Sequence, residues 1–279
     1  MVVRTFYWRP KRSPFAHLNR LQLLPPIFGS FAVGNAGDIF AEDLIRHLWK
    51  AQTEVVETGP RLLCIGSIAH RIQKFDLVCG IGVKSELHPP PPAGDIELPI
   101  WGLRGPLSEK AFRARGYALP DLRFLLDPGL LIRNMFSETE LAKVGHDIIF
   151  IPHYRDRAQV RKLHLRGMSV VDIDDTPGQI ARRILQAKMV YSSSLHGLIF
   201  AHSLGRPVAF VEPLCAEPKF KYDDYFLSIG LNIPVPLKIQ DRRAVIAASD
   251  TPISVSTSSF CFPDINLLRQ RGILREAPY

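Results

Sequence analysis

The stretch AKMVYSSSLHGLIFAHSLGRPVAFV, residues 187–211, decides the fold. It reads as strand, Ser-rich turn, helix, Gly turn and strand. Met189 to Tyr191 is a short apolar run of strand type, and Pro207 to Val211 is a second. Between them Leu195, Leu198, Ile199, Ala201 and Leu204 recur at helical spacing and predict a helix with one buried face. Strand–helix–strand with short turns predicts parallel strands joined by a right-handed crossover. The turn after the first strand then gathers Ser192, Ser193, Ser194, His196 and Gly197. Free N–H groups at a helix start, with the helix dipole, attract an anion. Serine hydroxyls add donors, and a histidine one residue inside can move a proton there. The alternative is a plain N-cap cluster with a structurally satisfied histidine.

Upstream, DIIFIPHY, a helix near residues 157–164, SVVDID, and a helix through Ile180–Leu185 complete one alternating half. Asp175–Thr176–Pro177 is the start signal for the last of these helices. The other half begins at the Gly-rich turn GSFAVGNAGD. Phe40, Leu44, Ile45, Leu48 and Trp49 then form a helical stripe. The runs RLLCIGS, DLVCGIG and LPIWGLRGP follow, with a helix after Pro106, and LRFLLDPGLL closes the half. HPPPPAGD, residues 88–95, is a loop or extended spacer. The expected fold class is α/β, with two Rossmann-like domains facing a central cleft, residues 1–143 and 144–279, the second carrying a C-terminal tail. Ligands of such sheets bind beyond the C-terminal strand ends. Gly34–Asp38, Gly66–Ser67, Arg104–Ser108, His153–Arg155 and Ser192–His196 collect there.

With 46% hydrophobic and 22% charged residues among 279, the chain can bury a sizeable core. No apolar run approaches the ~20 residues a membrane span needs. MVVRTFYWRPKRSPF has charges inside its apolar stretch and does not read as a secretory signal. The net charge of +8 is scattered, and no nucleic-acid-binding signature accompanies it. An anionic substrate or membrane surface therefore ranks above nucleic acid. Arg4, Arg9, Lys11 and Arg12, interleaved with Phe6, Tyr7 and Trp8, suit anionic lipid; the alternative is a mobile or core-packed N-terminus. The four cysteines, 64, 79, 215 and 261, make no C-x-x-C pair, and a reducing cytoplasm fits them. No spacing of ligand residues demands a metal, and none is expected.

Several shorter motifs carry chemistry. In NAGD, residues 35–38, Asn35 offers an amide, Gly37 allows close backbone approach and Asp38 can cap or accept; the alternative is a simple N-cap turn. RGPLS, residues 104–108, puts a guanidinium just before a helix, where its planar fork suits carboxylate or phosphate. The alternative is an exposed surface arginine. IPHY places His153 at a strand end. In PKFKYDDY, residues 218–225, Lys219 and Lys221 can reach an acidic ligand, while Asp223 and Asp224 hold sugar hydroxyls or pair with the lysines. No nucleophile elbow surrounds Ser194, which argues against a serine hydrolase.

Taken in order, NAGD (35–38), CIGS (64–67), CGIG (79–82), LRGPLSEKAF (103–112), DPGLL (127–131), IPHY (151–154), SSSLHGLIFAHSLGRPVAF (192–210) and FKYDDY (220–225) resemble the polysaccharide pyruvyltransferase family. The likeness is greatest to the ketal pyruvate transferases of bacterial exopolysaccharide assembly, of the xanthan and succinoglycan kind. It spans roughly residues 30–230. The resemblance implies a glycosyltransferase-B-like fold, phosphoenolpyruvate as donor, and no cofactor. A pair of sugar hydroxyls accepts, giving a pyruvate ketal and phosphate. The implied acceptor is a lipid-linked oligosaccharide at the cytoplasmic membrane face. On this reading His196 does acid–base work and Arg104 clamps the donor. Ser192, Ser193 and Ser194 bind its other anionic end. Asn35, Asp38, Ser67, His153, Tyr222 and Asp223 face the cleft. Other branches of the family carry Arg where this chain has Ser194; Lys221 or the Ser-rich helix start then takes over its hold on the donor. The rival readings are a nucleotide-sugar-dependent glycosyltransferase of the same architecture and a non-catalytic family member.

Overall fold

The computed structural model describes residues 1–13, 31–94, 98–143, 145–163, 165, 167–239 and 256–276. The chain is a mixed α/β protein built on two largely parallel sheets. In the first, β1 (Val2–Thr5) pairs in parallel with β2 (Gln52–Val55) and, at Thr5, with β3 (Leu62–Leu63). β4 (Leu77–Ile81), β5 (Ile100–Leu103) and β6 (Phe124–Leu125) continue it in parallel order. All five residues of β4 are buried, as a strand covered on both faces requires. The second sheet contains β7 (Asp147–Ile151), β8 (Ser169–Val170), β9 (Ala187–Ser192) and β10 (Val208–Phe210), in the order β10-β9-β7-β8, all parallel. A last strand, β11 (Leu274–Arg275), returns to the first sheet and pairs antiparallel with β1.

The helices follow their start signals. α1 (Ala36–Trp49) is capped by Asn35, and α2 (Pro106–Ala114) begins at Pro106. A 3-10 segment covers Pro128–Met135. α3 (Pro177–Leu185) is capped by Thr176, so it starts three residues before the apolar stripe. α4 (Leu195–Ser203) links β9 to β10 as its periodicity predicts. α5 (Phe220–Ser228) and α6 (Ile265–Gln270) follow, and Glu138–Leu141 forms one further short helical turn. The helix expected near residues 157–164 is a single turn, Arg157–Val160, after a 3-10 turn at Tyr154–Asp156; His164 lies outside the described residues.

One continuous core joins the sheets. It includes Leu62, Leu77 and Cys79 from the first and Ile149, Ile151 and Val190 from the second. α1, the 128–135 segment and α4 pack together, with the Phe40 and Phe200 rings edge-on at 5.6 Å. The halves are also clasped by polar contacts. The Asp174 carboxylate accepts hydrogen bonds from the backbone N–H groups of Ala32, Val33 and Gly34 at 2.9–3.1 Å. Such a row of oriented amides is a ready anion holder. Ala36 N–H bonds Ile173 O nearby. The loop that carries Asn35 and Asp38 is thus held by the other half of the chain.

Phe6 and Tyr7 are buried, and Trp8 packs on Phe31 and Tyr154. This matches the core-packed alternative and removes the expected seat of these aromatic side chains on lipid. No described helix is long and apolar enough to cross a membrane.

Candidate active site

A cleft of about 400 Å³ is lined from both halves of the chain, by residues that follow the strand ends. That volume suits a small-molecule substrate. Asn35, Asp38 and Ser67 stand on the first half's side; Ser194, His196, His153 and Lys221 stand on the other.

Asn35 is the N-cap of α1, its Oδ1 accepting from Gly37 N–H at 3.1 Å. This frees Asp38, one turn inside, from capping. Gly37 is required by its neighbour: a Cβ there would fall 2.0 Å from Cγ and Nδ1 of His196. The start of α1 therefore lies directly against the imidazole. On the other side, Ser194 caps α4, with a loose 3.5 Å contact to Gly197 N–H. His196 is 7% exposed, and its buried Nε2 has no hydrogen-bond partner among the described residues.

The two titratable groups here are displaced in opposite directions. Burial, aided by the positive charges of Arg104 and Lys221, pushes His196 down to about 3. Burial also pushes Asp38 up to about 7; Lys221 works against that shift and Asp127 adds to it. At neutral pH the imidazole is thus a neutral base and the carboxyl stands near half-protonation. Pairs separated in this way suit divided acid and base roles. An anion entering the cleft would raise His196 again by favouring its charged form.

The floor is a buried charge cluster. Lys221 Nζ pairs with Glu217 Oε1 at 2.6 Å and lies 3.3 Å from His153 Nε2. Glu217 Oε2 is buried and accepts no hydrogen bond among the described residues, although Arg155 Nη1 stands 3.3 Å away. Burial first, then Lys221 and Arg155, holds His153 at about 2, so it acts as a neutral acceptor. Its Nδ1 meets Cys215 Sγ at 3.3 Å. His153, Asp156 and Cys215 bring ligand-type atoms within 4.8 Å of one another. Asp156, however, already accepts from Leu214 and Cys215 N–H at 2.8 Å each, and burial pushes the thiol up to about 12. The cluster works as a hydrogen-bonded turn as it stands.

Five expected site residues are placed elsewhere. Arg104 does not line the cleft: its guanidinium is fully buried, held by Asp224 at 3.0 Å, Ser67 Oγ at 2.6 Å and Val83 O. With its side chain buried and each of its three nitrogens already donating inside the protein, Arg104 supports Ser67 from behind the cleft. Ser192 turns inward, its hydroxyl donating to the carbonyls of Ile151 and Ser194. Ser193 Oγ accepts from His153 N–H at 2.8 Å and positions that loop. Tyr222 is buried, stacked on Phe210 and donating to Ser193 O. Asp223 lines a separate groove beside Lys110 and Phe220.

Other residues reach the cleft with no motif to announce them: Glu217, His70, Arg71, Lys84 and His88. His70 and Arg71 sit in a 3-10 turn, Ala69–Arg71, and the others in loops that follow strands, where no periodicity marks them. Trp8 and Tyr154 also line the cleft, their ring centroids 5.0 Å apart.

Comparison with known proteins gives two similarities. The profile of the polysaccharide pyruvyl transferase family matches residues 101–213, which include His153, Ser194 and His196. An uncharacterized protein, L143, of Acanthamoeba polyphaga mimivirus is 28% identical over 211 residues, covering 71% of this chain and 71% of its own. No solved structure matches the chain.

Proposed function

We propose that this protein transfers the enolpyruvyl group of phosphoenolpyruvate onto two hydroxyls of a sugar, forming a pyruvate ketal and releasing phosphate. The observation that carries the reading is His196: a buried imidazole with an unpartnered Nε2, facing a cationic cleft beside Asp38, within the stretch matched by the pyruvyl transferase profile. The two halves act as the two sides of a glycosyltransferase-B-like arrangement. The acceptor is a sugar of an exopolysaccharide or its lipid-linked repeat unit, used at the cytoplasmic face of the membrane. The overall charge of +8 supports that setting.

Protonated Asp38 delivers a proton to the methylene carbon of the donor, leaving a cation at C2. A sugar hydroxyl adds to C2 and gives its proton to His196, now a base. The C2–O bond to phosphate then breaks, the electron pair leaving with phosphate, and the second hydroxyl closes the ketal as its proton passes to the Asp38 carboxylate. Arg155, Lys221 and the N–H groups at the start of α4 hold the anionic donor. These cations, set in a floor shielded from water, supply the positive field.

The test is phosphate release together with pyruvate incorporation from phosphoenolpyruvate, against aryl and lipid-linked glycosides of glucose, galactose and mannose. The expected product is a ketal on one of them. His196→Ala should bind the donor within a few-fold of wild type and lose about 10³ in turnover. A wild-type rate in that variant would remove His196 from the chemistry. Binding of a nucleotide sugar with none of phosphoenolpyruvate would replace the reaction by glycosyl transfer.

A further inference from the structure

One wall of the cleft is left unused by that scheme. After β3 and β4 the chain presents His70, Arg71, Lys84 and His88 to the cleft. The rings of His70 and His88 lie 5.5 Å apart, edge to face. His88 is oriented by Ser85, whose Oγ is 2.9 Å from its Nδ1. The buried Nδ1 of His70 has no partner among the described residues. Neither Arg71 nor Lys84 has an acidic partner there either. The buried cations Arg61, Arg104 and Lys221, in contrast, are each paired, with Asp76, Asp224 and Glu217.

We propose that His70, Arg71, Lys84 and His88 form a second anion subsite of the cleft, one that takes a phosphate-ester group. Converging cations without a counter-ion repel one another, and a divalent anion removes that repulsion. The repulsion has a local signature. After burial itself, Arg71, His88 and Lys84 depress His70, and Lys84 also lowers His153 and Lys221 across the cleft. Lys84 thus stands where an anion bound to either wall would feel it. An arginine fork, an ammonium and two imidazoles give phosphate oxygens donors from several directions. The subsite rests on the cleft being the substrate site, as the pyruvyl-transfer reading has it. The phosphate ester has two sources: the donor's own phosphate, or a phosphoryl group carried by the acceptor sugar.

The experiment is calorimetric titration of the full chain with inorganic phosphate, phosphoenolpyruvate and a sugar 1-phosphate. Wild type is compared with Arg71→Ala/His88→Ala, two exposed positions whose loss leaves the core intact, and with Lys84→Met as a second variant. Both should weaken at least one phosphate ester tenfold or more at an unchanged Tm. Loss confined to phosphoenolpyruvate assigns the wall to the donor; loss confined to the sugar phosphate assigns it to the acceptor. Wild-type affinity for all three probes in both folded variants would overturn the subsite, as would a wild-type chain that binds none of them. Binding of the sugar phosphate through this wall with no binding of phosphoenolpyruvate would keep the subsite and remove the pyruvyl donor.

Discussion

Lys221 and Asp224 are both buried charges, three residues apart on α5, and the protein uses them in opposite ways. Asp224 is saturated. Its Oδ1 accepts from Leu107 and Ser108 N–H at 2.9 and 3.0 Å, and its Oδ2 from Arg104 Nε at 3.0 Å and Ser108 Oγ at 2.6 Å. It also does the capping that Gly105, the N-cap of α2, has no side chain to do. Gly105 is fixed in turn, because a Cβ there would lie 2.2 Å from Asp224 O. Lys221 belongs to an open cluster, in which a buried oxygen of Glu217 and, nearby, a buried nitrogen of His196 have no hydrogen bond among the described residues. Filled networks specify a structure, whereas incomplete ones are costly unless a ligand completes them.

The comparison is broken most directly at Asp224. Asp224→Ala leaves the Arg104 guanidinium buried and unpaired and two amides at the start of α2 without an acceptor. A loss of about 4 kcal/mol in urea unfolding is expected. A loss below 1 kcal/mol would mean that this network is no more structural than the other.

Asp38 gives the next largest effect, with a sign that depends on pH. Its folded value of about 7 stands above the ordinary 3.8, so between those values the folded chain carries more protons than the unfolded one. Its contribution to stability therefore falls as pH rises through that window and is worst above pH 7. Asp38→Asn should gain about 3 kcal/mol over wild type at pH 8, lose nearly all of that gain at pH 4, and transfer little pyruvate at either. Denaturation midpoints at the two pH values read the difference; equal midpoints at pH 8 would show that Asp38 is ionised at no cost.

The smallest expected effect sharpens the contrast. Lys221→Met with Glu217→Gln removes the open ion pair as a unit and should stay within ~1 kcal/mol of wild type, since replacing both partners of a buried pair is often neutral. Donor binding should nevertheless be lost. A collapse in stability there would place Lys221 with Asp224 as a structural charge.

How much of this the sequence could reveal depended on whether the signal was local. Residues 187–211 carried their own strand, helix and turn signals, and β9, α4 and β10 form where those signals fall. Gly37 was legible as a close approach, although not what approaches it. The burial of Arg104 is not legible for a physical reason: Pro106 announces a helix start nearby, but the acid that pairs with the guanidinium lies 120 residues away. Asp223 and Asp224 are adjacent and chemically identical, so only packing distinguishes the groove residue from the buried one. The wall of His70, Arg71, Lys84 and His88 comes from two loops with no shared spacing, and only parallel strand order brings them together.

The contact of Gly37 with His196 crosses from one half of the chain to the other. The imidazole is set by a backbone from the other half of the chain, and that backbone is tied down by Asp174. Chemistry is thereby made conditional on assembly. A molecule whose halves have drifted apart by the width of one methyl group would still be folded and would still count as intact by most measures, yet it would be silent. On warming, or in mild denaturant, activity should fade before structure does, making the turnover of this protein a finer gauge of its own integrity than its melting point.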